Sequence, residues 1–411
     1  MSLLDDEPRI VIVSQRSYYT PVFRTSAYEF EDVICAVDHA DLLLPTFEVS
    51  PLTQRLLGKI SQYGNICVHP KRRRPDSPRL TKYYDVLFVS VCDCDELLDL
   101  EPILERLRER CRVAICNIDE LWAKGVVNHY RVYRLLEKFD HILLGLSGTC
   151  DALARIIDRS IIHLPFGIDM DRFCPYPNPP RRSIDIYAIG RNSPKTDYAL
   201  REWADRTGAT YLYDTIAGGG GRFVISVERH RTFIAQMIKR SRYFIVNPAK
   251  IDVEEETGGQ MEIGSRFYEG AAGGAVLIGQ VPTNCQVFDR DFDWPDAVIN
   301  MPFHSTDIAE RISALDAEPN RIARIRLNNV VNCLRRHDWV YRWNNLIKML
   351  GMKPTICALE REERLRNFAD RLTQETHKLV PTECVTTRSI SSHSSMTEKH
   401  MKQARSSGDS E

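Results

Sequence analysis

The stretch 258–279 combines a loop, a helix start and a carboxylate in a spacing that suits a phosphorylated ligand. Gly264 and Ser265 lead into a predicted helix over 265–272, and serine is a favourable N-cap residue. The unpaired N–H groups and the positive dipole end of such a helix start attract phosphate. Glu269 follows one turn later, where its two carboxylate oxygens could accept hydrogen bonds from a ribose diol. Phosphate at the loop and ribose at Glu269 together predict a bound nucleotide.

The same residues also fit a purely structural interpretation. A helix that ends at Gly273 and Gly274, before the apolar run 275–278, is ordinary α/β packing. In that case Glu269 would be a solvated helix residue. A short motif does not decide between the two interpretations, and both stay open at this point.

A second candidate site follows the strand predicted over 184–190. This strand ends in Gly190, and Arg191 and Lys195 come shortly after it. Glycine lets the backbone approach a ligand closely, and the two cations supply the charge that a diphosphate requires. The alternative is that both cations belong to a solvated loop.

Two acidic residues, Asp119 and Glu120, follow the strand predicted over 112–116. Ligands of open α/β sheets bind just beyond the carboxyl ends of the strands, which makes these carboxylates candidate catalytic residues. An alternative that the residues support equally well is that Asp119 caps the following helix.

Composition narrows the class of protein. The chain has 411 residues, 43% of them hydrophobic, which is enough for two or more domains with full-sized cores. A net charge of -1 gives no reason to expect nucleic acid as a partner.

The acidic start does not resemble a secretory signal and no run has the length of a transmembrane helix, so membrane association would be peripheral at most. Twelve scattered cysteines indicate reduced, mostly buried thiols and a cytoplasmic protein.

Predicted strands and helices alternate along most of the chain, which is typical of parallel βαβ units in a doubly wound sheet. The alternation breaks at 165–173, and several prolines prolong the break. This pattern predicts a linker between two domains. The predicted segments are a first domain at 1–164, a linker at 165–181, a second domain at 182–352, a C-terminal helix at 353–380 and a disordered tail at 381–411.

Three smaller predictions concern individual segments. We expect a helix over 52–63, a solvated basic loop at 71–74 and a flexible glycine loop at 218–221. The tail after 381 is rich in Ser, Thr, His and Lys and lacks the large apolar residues needed to order itself.

Three segments together resemble group 1 glycosyltransferases, the retaining nucleotide-sugar enzymes of the GT-B fold. The stretch 258–279 is similar to their C-terminal-domain signature, and 165–173 is similar to their interdomain motif. The run 337–343 resembles an aromatic-rich helix near the end of many members, and we interpret it as packing rather than catalysis. The resemblance covers residues 84–351 well and the first eighty residues only loosely.

In the family signature two glutamates flank seven residues. Glu269 matches the second glutamate, which holds the donor ribose, and Gly264 matches an internal glycine. Met261 stands where the first glutamate contacts the donor sugar, and Glu262 lies one place later. The chain therefore matches the second half of the signature and departs from the first half.

The resemblance implies a GT-B architecture, an α/β fold in which two Rossmann-like doubly wound domains face each other across a cleft. The second domain would bind the nucleotide-sugar donor, and the first would bind a glycan, a lipid or a small-molecule acceptor. Group 1 members retain the anomeric configuration and need neither a divalent metal nor a further cofactor. Their basic pair, in the place of Arg191 and Lys195, neutralises the diphosphate as it leaves.

The predicted site residues form two groups. The catalytic candidates are Arg191, Lys195, Asp119 and Glu120. The donor-binding candidates are Glu269, Gly190, Gly264, Ser265, Glu262 and Arg266. Two other functions suit the same pattern: a GT-B-fold epimerase or inverting transferase, and a protein that binds a nucleotide sugar without turnover, which the departure at Met261 favours.

Overall fold

The computed structural model describes residues 8–47, 75–76, 80, 82–92, 94–128, 130–213 and 223–379. The predicted helix at 52–63, the basic run at 71–74, the glycine loop at 218–221 and the tail at 381–411 lie outside these residues. Elsewhere the predicted strands and helices are present, with shifted ends.

A parallel sheet organises the first part of the chain. Its strands are β1 (Ile10–Val13), β2 (Asp41–Leu43), β3 (Tyr84–Val91), β4 (Cys111–Ile118), β5 (His141–Leu144) and β6 (Ser160–His163). They lie in the order β2-β1-β3-β4-β5-β6. The central strands are almost continuously apolar and buried, because helices cover both faces of the sheet. A separate antiparallel pair joins Thr46–Phe47 to Pro75–Asp76.

A second parallel sheet follows. Its strands are β7 (Ile184–Ala188), β8 (Tyr211–Tyr213), β9 (Ser241–Val246), β10 (Val276–Gly279) and β11 (Ile299–Asn300). They lie in the order β8-β7-β9-β10-β11. The segment 165–181, predicted as a linker, lies between the last strand of the first sheet and the first strand of the second.

Helices connect the strands and continue beyond them. They are α1 (Thr25–Asp38), α2 (Leu97–Arg108), α3 (Tyr130–Leu136), α4 (Cys150–Ala154), α5 (Met170–Phe173), α6 (Pro194–Thr207), α7 (Val227–Arg240), α8 (Glu254–Thr257), α9 (Ser265–Ala272), α10 (Gln286–Asp291), α11 (Ile308–Asp316), α12 (Pro319–Arg336), α13 (Trp339–Met349) and α14 (Ile356–Leu379). Local signals set some ends: Ser193 caps α6, and Gly208 ends it at φ +71°.

Two helices of the first domain are shorter than the sequence predicts. The sequence pattern predicts a helix over 126–138, whereas the structure has only α3 there, after a 3-10 helix at Ala123–Asn128. The pattern also predicts a helix over 147–157, whereas the structure has only α4, after a 3-10 helix at Ser147–Thr149. In both places a side chain of the second domain accepts a hydrogen bond from the backbone near the start of the segment. These tertiary contacts override the local helix preference.

Helix α13 returns to the first domain. Trp339 stacks on Phe30 of α1 with 4.6 Å between ring centroids, and Trp343 donates a hydrogen bond from Nε1 to Asp38 at 2.7 Å. Both tryptophans are buried, which confirms the interpretation of 337–343 as packing. The helix therefore stabilises the contact between the domains, although the sequence assigns it to the second.

The linker is anchored to the C-terminal helices. The N–H of Ile168 donates to the carbonyl of His337 at 2.9 Å, which forms a short parallel bridge. Arg361 of α14 donates to a carboxylate oxygen of Asp169 and to one of Asp338, both at 2.8 Å. The chain between the sheets is thus fixed at several points.

The state of the cysteines and the composition of the helices can be compared with the predictions made from composition. The described cysteines are free thiols, and most of them are buried. Within the described ranges, no helix combines the length and the apolar composition that crossing a bilayer requires.

Candidate functional site

Each of the two large sheets reverses its strand order at one point. The reversal lies between β1 and β3 in the first sheet and between β7 and β9 in the second. Connections leave the two strands in opposite directions there, which makes this the usual ligand position in open α/β sheets. Gly190 and Arg191 follow β7 and therefore lie at the second reversal.

The loops after β7 and β9 meet around Arg191. Gly190 has φ +91°, a left-handed backbone conformation that glycine adopts without strain. Arg191 is exposed, and its Nη1 donates to Oδ1 of Asp252 at 2.8 Å. Asn247, the first residue after β9, donates from Nδ2 to the carbonyl of Arg191 at 3.5 Å. The second reversal thus presents an arginine to solvent between two converging loops.

Lys195 lies in the first turn of α6 and is exposed. It forms no ion pair with the residues that the structure describes. The N-cap Ser193 holds this turn, and its Oγ lies 2.7 Å from Nδ1 of His304. Asn247, Asp252 and His304 are not among the predicted site residues, and the only signal in the sequence is that Asn247 follows the apolar run 243–246.

Helix α9 begins with a glycine cap. Gly264 is the N-cap, with φ -98° and ψ -179°, and Ser265 is the first helical residue. The prediction that Ser265 caps the helix is therefore wrong, and the reason is that glycine also tolerates the N-cap position. Among the described residues, no side-chain oxygen caps this helix start, so the first-turn N–H groups keep their affinity for an anion.

Glu269 is completely buried, and two arginines donate hydrogen bonds to its carboxylate. Arg231 of α7 donates from Nη1 to Oε1 in a short hydrogen bond, and Arg266 donates from Nη1 to Oε2 at 2.5 Å. Burial by itself would raise the pKa of Glu269, but the charges of Arg266 and Arg231 outweigh it and lower the pKa to about 2. The alternative of a solvated helix residue is wrong. Because Glu269 is completely buried, a ribose could reach its carboxylate only after a neighbouring side chain moves.

Arg231 connects Glu269 to the first domain. Its Nε and Nη2 donate to the two carboxylate oxygens of Glu29 at 2.9 and 3.1 Å. Oε1 of Glu29 also accepts hydrogen bonds from the N–H of Asp169 at 3.0 Å and from Nε1 of Trp339 at 3.2 Å. The side chains of Glu29, Arg231 and Glu269 are at most 1% exposed.

We call Glu29, Arg231, Glu269 and Arg266 the charge cluster. It contains two carboxylates and two guanidinium groups, so its formal charges cancel, which buried ions require. The sequence analysis missed Glu29 and Arg231. Both lie in amphipathic helices, where a local pattern does not separate a buried charge from a solvated one.

Glu262 is also buried and faces the first domain. Its Oε1 accepts hydrogen bonds from the N–H of Gly148 at 2.7 Å and from Nε2 of Gln260 at 2.8 Å. Met261, at the position of the family's first glutamate, is half-buried. The carboxylate one place later thus forms an interdomain contact.

The two acidic residues after β4 have different surroundings. Asp119 lines a cavity of about 10 Å³ together with Asn117, Phe30 and Trp339, which is room for about one water molecule. Asn117 donates from Nδ2 to Asp119 at 2.8 Å. Burial raises the pKa of Asp119 to about 6, against the opposing charge of Arg24.

Glu120 reaches the second domain instead. Its Oε1 accepts a hydrogen bond from Nε1 of Trp122 at 3.0 Å and pairs with Nζ of Lys250 at 2.7 Å. Lys250 also pairs with Glu256 at 2.7 Å and has φ +49°, unusual for a lysine. Of the two acids, Glu120 is therefore the one that forms an ion pair with the second domain.

Contacts between the loops bring the two domains together beside the reversals. Lys124 of the first domain donates to the carbonyl of Glu255 at 2.6 Å, next to the Glu120–Lys250 pair. Among the described residues, no group of three or more His, Cys, Asp or Glu side chains is arranged to hold a metal ion. The exposed cations Arg191 and Lys195 and the uncapped start of α9 could together bind an anionic group such as a diphosphate.

Comparison with solved structures decides the architecture. The HepE protein of Anabaena, solved with UDP-glucose, matches 83% of this chain and 99% of its own length, with a TM-score of 0.50 and 12% identity. The chain has the GT-B fold. At this identity the likeness establishes the fold alone, and it confirms the predicted pair of Rossmann-like domains.

Other solved structures are similar to this GT-B chain at lower scores. A glycosyltransferase of Rickettsia africae matches 84% of this chain and 98% of its own, with 10% identity and a TM-score of 0.47. An α,α-trehalose-phosphate synthase (UDP-forming) of Burkholderia vietnamiensis matches 83% and 99%, also with 10% identity and a TM-score of 0.47. No family model and no curated protein sequence matches the chain.

Proposed function

We propose that this GT-B chain is a glycosyltransferase that moves a sugar from a nucleotide-sugar donor to a hydroxyl group of an acceptor. The observation that carries the proposal is the position of Arg191. It is exposed at the strand-order reversal of the second domain, where the loop of Gly190 meets the loop after β9 through Asn247 and Asp252. A cation at this point of an α/β sheet suits the phosphates of a nucleotide.

In this proposal the second domain holds the donor. Arg191, Lys195 and the N–H groups at Gly264 and Ser265 bind the diphosphate. Charge grows on the diphosphate as the sugar leaves, and donors fixed in advance stabilise that charge without rearranging. Glu269 binds the ribose once its carboxylate is released from one arginine. Gly190, Glu262 and Arg266 shape the same site.

The first domain binds the acceptor, a glycan, a lipid or a small molecule. Glu120 lies at the surface where the domains meet, and its pairing with Lys250 supports a role beside the donor sugar. Asp119 is half-buried beside the small cavity, and its raised pKa suits a group that exchanges a proton near neutral pH. We assign catalysis to these two carboxylates together with Arg191 and Lys195.

The finer properties rest on the resemblance to group 1 glycosyltransferases. They are retention of the anomeric configuration, independence of a divalent metal and of any further cofactor, and a cytoplasmic site of action with at most peripheral membrane contact. We expect no nucleic-acid partner.

A second candidate is a protein that binds a nucleotide sugar without turnover. Glu262 and Glu269 favour this function. Both carboxylates are predicted to bind the nucleotide-sugar donor, but both are buried and accept hydrogen bonds from other groups of the protein. An epimerase or an inverting transferase would share the same fold.

One screen separates these functions. Purified protein is incubated with UDP-, GDP-, ADP- and dTDP-sugars, and thermal stability and released nucleotide are both measured. UDP-glucose comes first, because the HepE structure contains it. A rise in melting temperature with nucleotide release, in which water takes the sugar when no acceptor is present, supports the transferase. A rise without release, also after glycan, lipid and small-molecule acceptors are added, supports the binding protein. No response to any donor contradicts both.

A further inference from the structure

The charge cluster covers the carboxylate that we assign to the donor ribose. We propose that Arg231 is a gate residue of the donor site. In the donor-free protein it occupies Glu269, and when the donor binds, the ribose diol displaces it while Glu29 of the first domain retains it. This inference rests on the proposed function.

The hydrogen bonds of Arg231 are divided unequally between its two partners. It donates two hydrogen bonds to Glu29 and one to Glu269. Its guanidinium also lies over the ring of Phe173, 4.8 Å from the centroid. Loss of the single bond to Glu269 therefore leaves Arg231 paired and packed, with Glu29 as the partner that remains.

Glu269 is likewise paired when Arg231 leaves it. Arg266 holds Oε2, so the carboxylate stays ionised and balanced while Oε1 becomes available. The side chain of Arg266 is 27% exposed, whereas that of Arg231 is 1% exposed. Solvent therefore reaches the cluster from the Arg266 side, and a ribose would approach along the same path.

The exchange conserves hydrogen bonds. Oε1 of Glu269 loses one N–H donor and gains hydroxyl donors of the ribose. Glu29 keeps two N–H donors from Arg231 and those from Asp169 and Trp339. Each buried charge therefore keeps an ionic partner both before and after the exchange, which avoids the cost of an unpaired buried charge.

The gate predicts effects of opposite sign for two variants. Glu29→Gln removes the carboxylate that would retain Arg231 after displacement. Arg231 therefore remains hydrogen-bonded to Glu269, and the affinity for the nucleotide falls. The double variant Glu29→Gln/Arg231→Gln removes the competitor, so nucleotide affinity rises. Couplings between protein sites are commonly 5- to 150-fold, and we expect changes of about that size in each direction. The double variant keeps a neutral hydrogen-bonding pair, which buried sites tolerate far better than a lone charge.

The measurement is calorimetric titration of the full chain with UDP, GDP, ADP and dTDP. The control is Arg24→Gln/Glu96→Gln, which neutralises a buried ion pair within the first domain and should leave affinity unchanged. Opposite changes in the two test variants support the gate. Equal affinities in the wild type and both variants would show a purely structural cluster and overturn the gate, while the proposed function stands. If neither the wild type nor the double variant binds any of the four, both proposals fail.

Discussion

Arg231 of the second domain donates two hydrogen bonds to Glu29 of the first, at N···O distances of 2.9 and 3.1 Å, in an interface where both side chains are at most 1% exposed. Removing two charges from water is costly, and only close, well-aligned partners offset that cost. The bidentate pair meets this condition. It therefore makes the relative position of the domains sensitive to any change in the charge cluster.

The first prediction concerns Glu269→Gln. The sequence alone predicts weaker nucleotide binding with little loss of stability, but the structure corrects the second part. Loss of the carboxylate charge removes the ionic partner of Arg266 and one of the two carboxylates that pair with Arg231, and breaking a buried ion pair costs about 3–5 kcal/mol. Denaturant unfolding measures this loss. Glu228→Gln, at an exposed position of α7, is the matched control and should unfold like the wild type.

The same variant tests the ribose assignment. At a temperature where Glu269→Gln remains folded, its affinity for the preferred nucleotide should fall, because an amide has one acceptor oxygen instead of two. Calorimetry checks this. Unchanged affinity would remove Glu269 from the donor site.

The sequence predicted the fold from local features. Apolar strands that alternate with amphipathic helices can be recognised without tertiary information. This pattern predicts both parallel sheets and the position of 165–181 between them, as the structure shows. Glycines at strand and helix ends also located the second reversal and the start of α9. These features depend on neighbours along the chain, which a sequence displays directly.

The charge cluster could not be predicted in the same way. Glu29 and Arg231 are 202 residues apart in sequence and meet only because α1 and α7 pack across the domain boundary. Lys250 and Glu120 come together for the same reason. A charged residue in an amphipathic helix or a loop is usually solvated, so no local signal identifies one that is buried by a distant partner.

The second prediction separates binding from turnover at Arg191. Because Arg191 would stabilise charge on the departing diphosphate, Arg191→Ala should lower kcat more than it raises KM, by roughly 100-fold or more in kcat. Steady-state kinetics with the preferred donor measures both constants. Arg201→Ala removes an exposed arginine of α6 and serves as the control. Wild-type kcat in Arg191→Ala would exclude Arg191 from catalysis.

The third prediction concerns pH. His337 is buried beside Arg342, and burial lowers its pKa from 6.5 to about 3. The unfolded chain therefore binds a proton below pH 6.5 that the folded chain does not bind until about pH 3. Stability that is present above pH 6.5 is lost as the pH falls toward 3, by about 1.4 kcal/mol per pH unit from this group.

His337→Gln isolates that contribution. The difference in unfolding free energy between the wild type and this variant should shrink as the pH decreases from about 7 to about 5. Urea unfolding across this range measures it, with His304→Gln as the exposed-histidine control. A difference that is independent of pH would show that His337 does not resist protonation.

The fourth prediction concerns the return of α13 to the first domain. Trp343 is 0% exposed and makes edge contacts with Phe30 and Phe88 at centroid distances of 6.4 and 6.0 Å. Trp343→Ala should lower the unfolding free energy by about 3–5 kcal/mol, because it removes a large buried ring and leaves a cavity. Met349→Ala, on the same helix but 45% exposed, should cost far less. Equal losses would contradict this role for α13.

The most direct test of the central claim is hydrogen exchange with and without the nucleotide sugar that stabilises the protein most in the screen. In the proposed donor site the diphosphate lies at the strand-order reversal of the second domain, and this position has a direct consequence. It predicts slower exchange in 189–195 and 247–266 when the donor is bound, since both segments border that point. Protection confined to other segments, with unchanged exchange in these two, would contradict the donor site proposed for this chain.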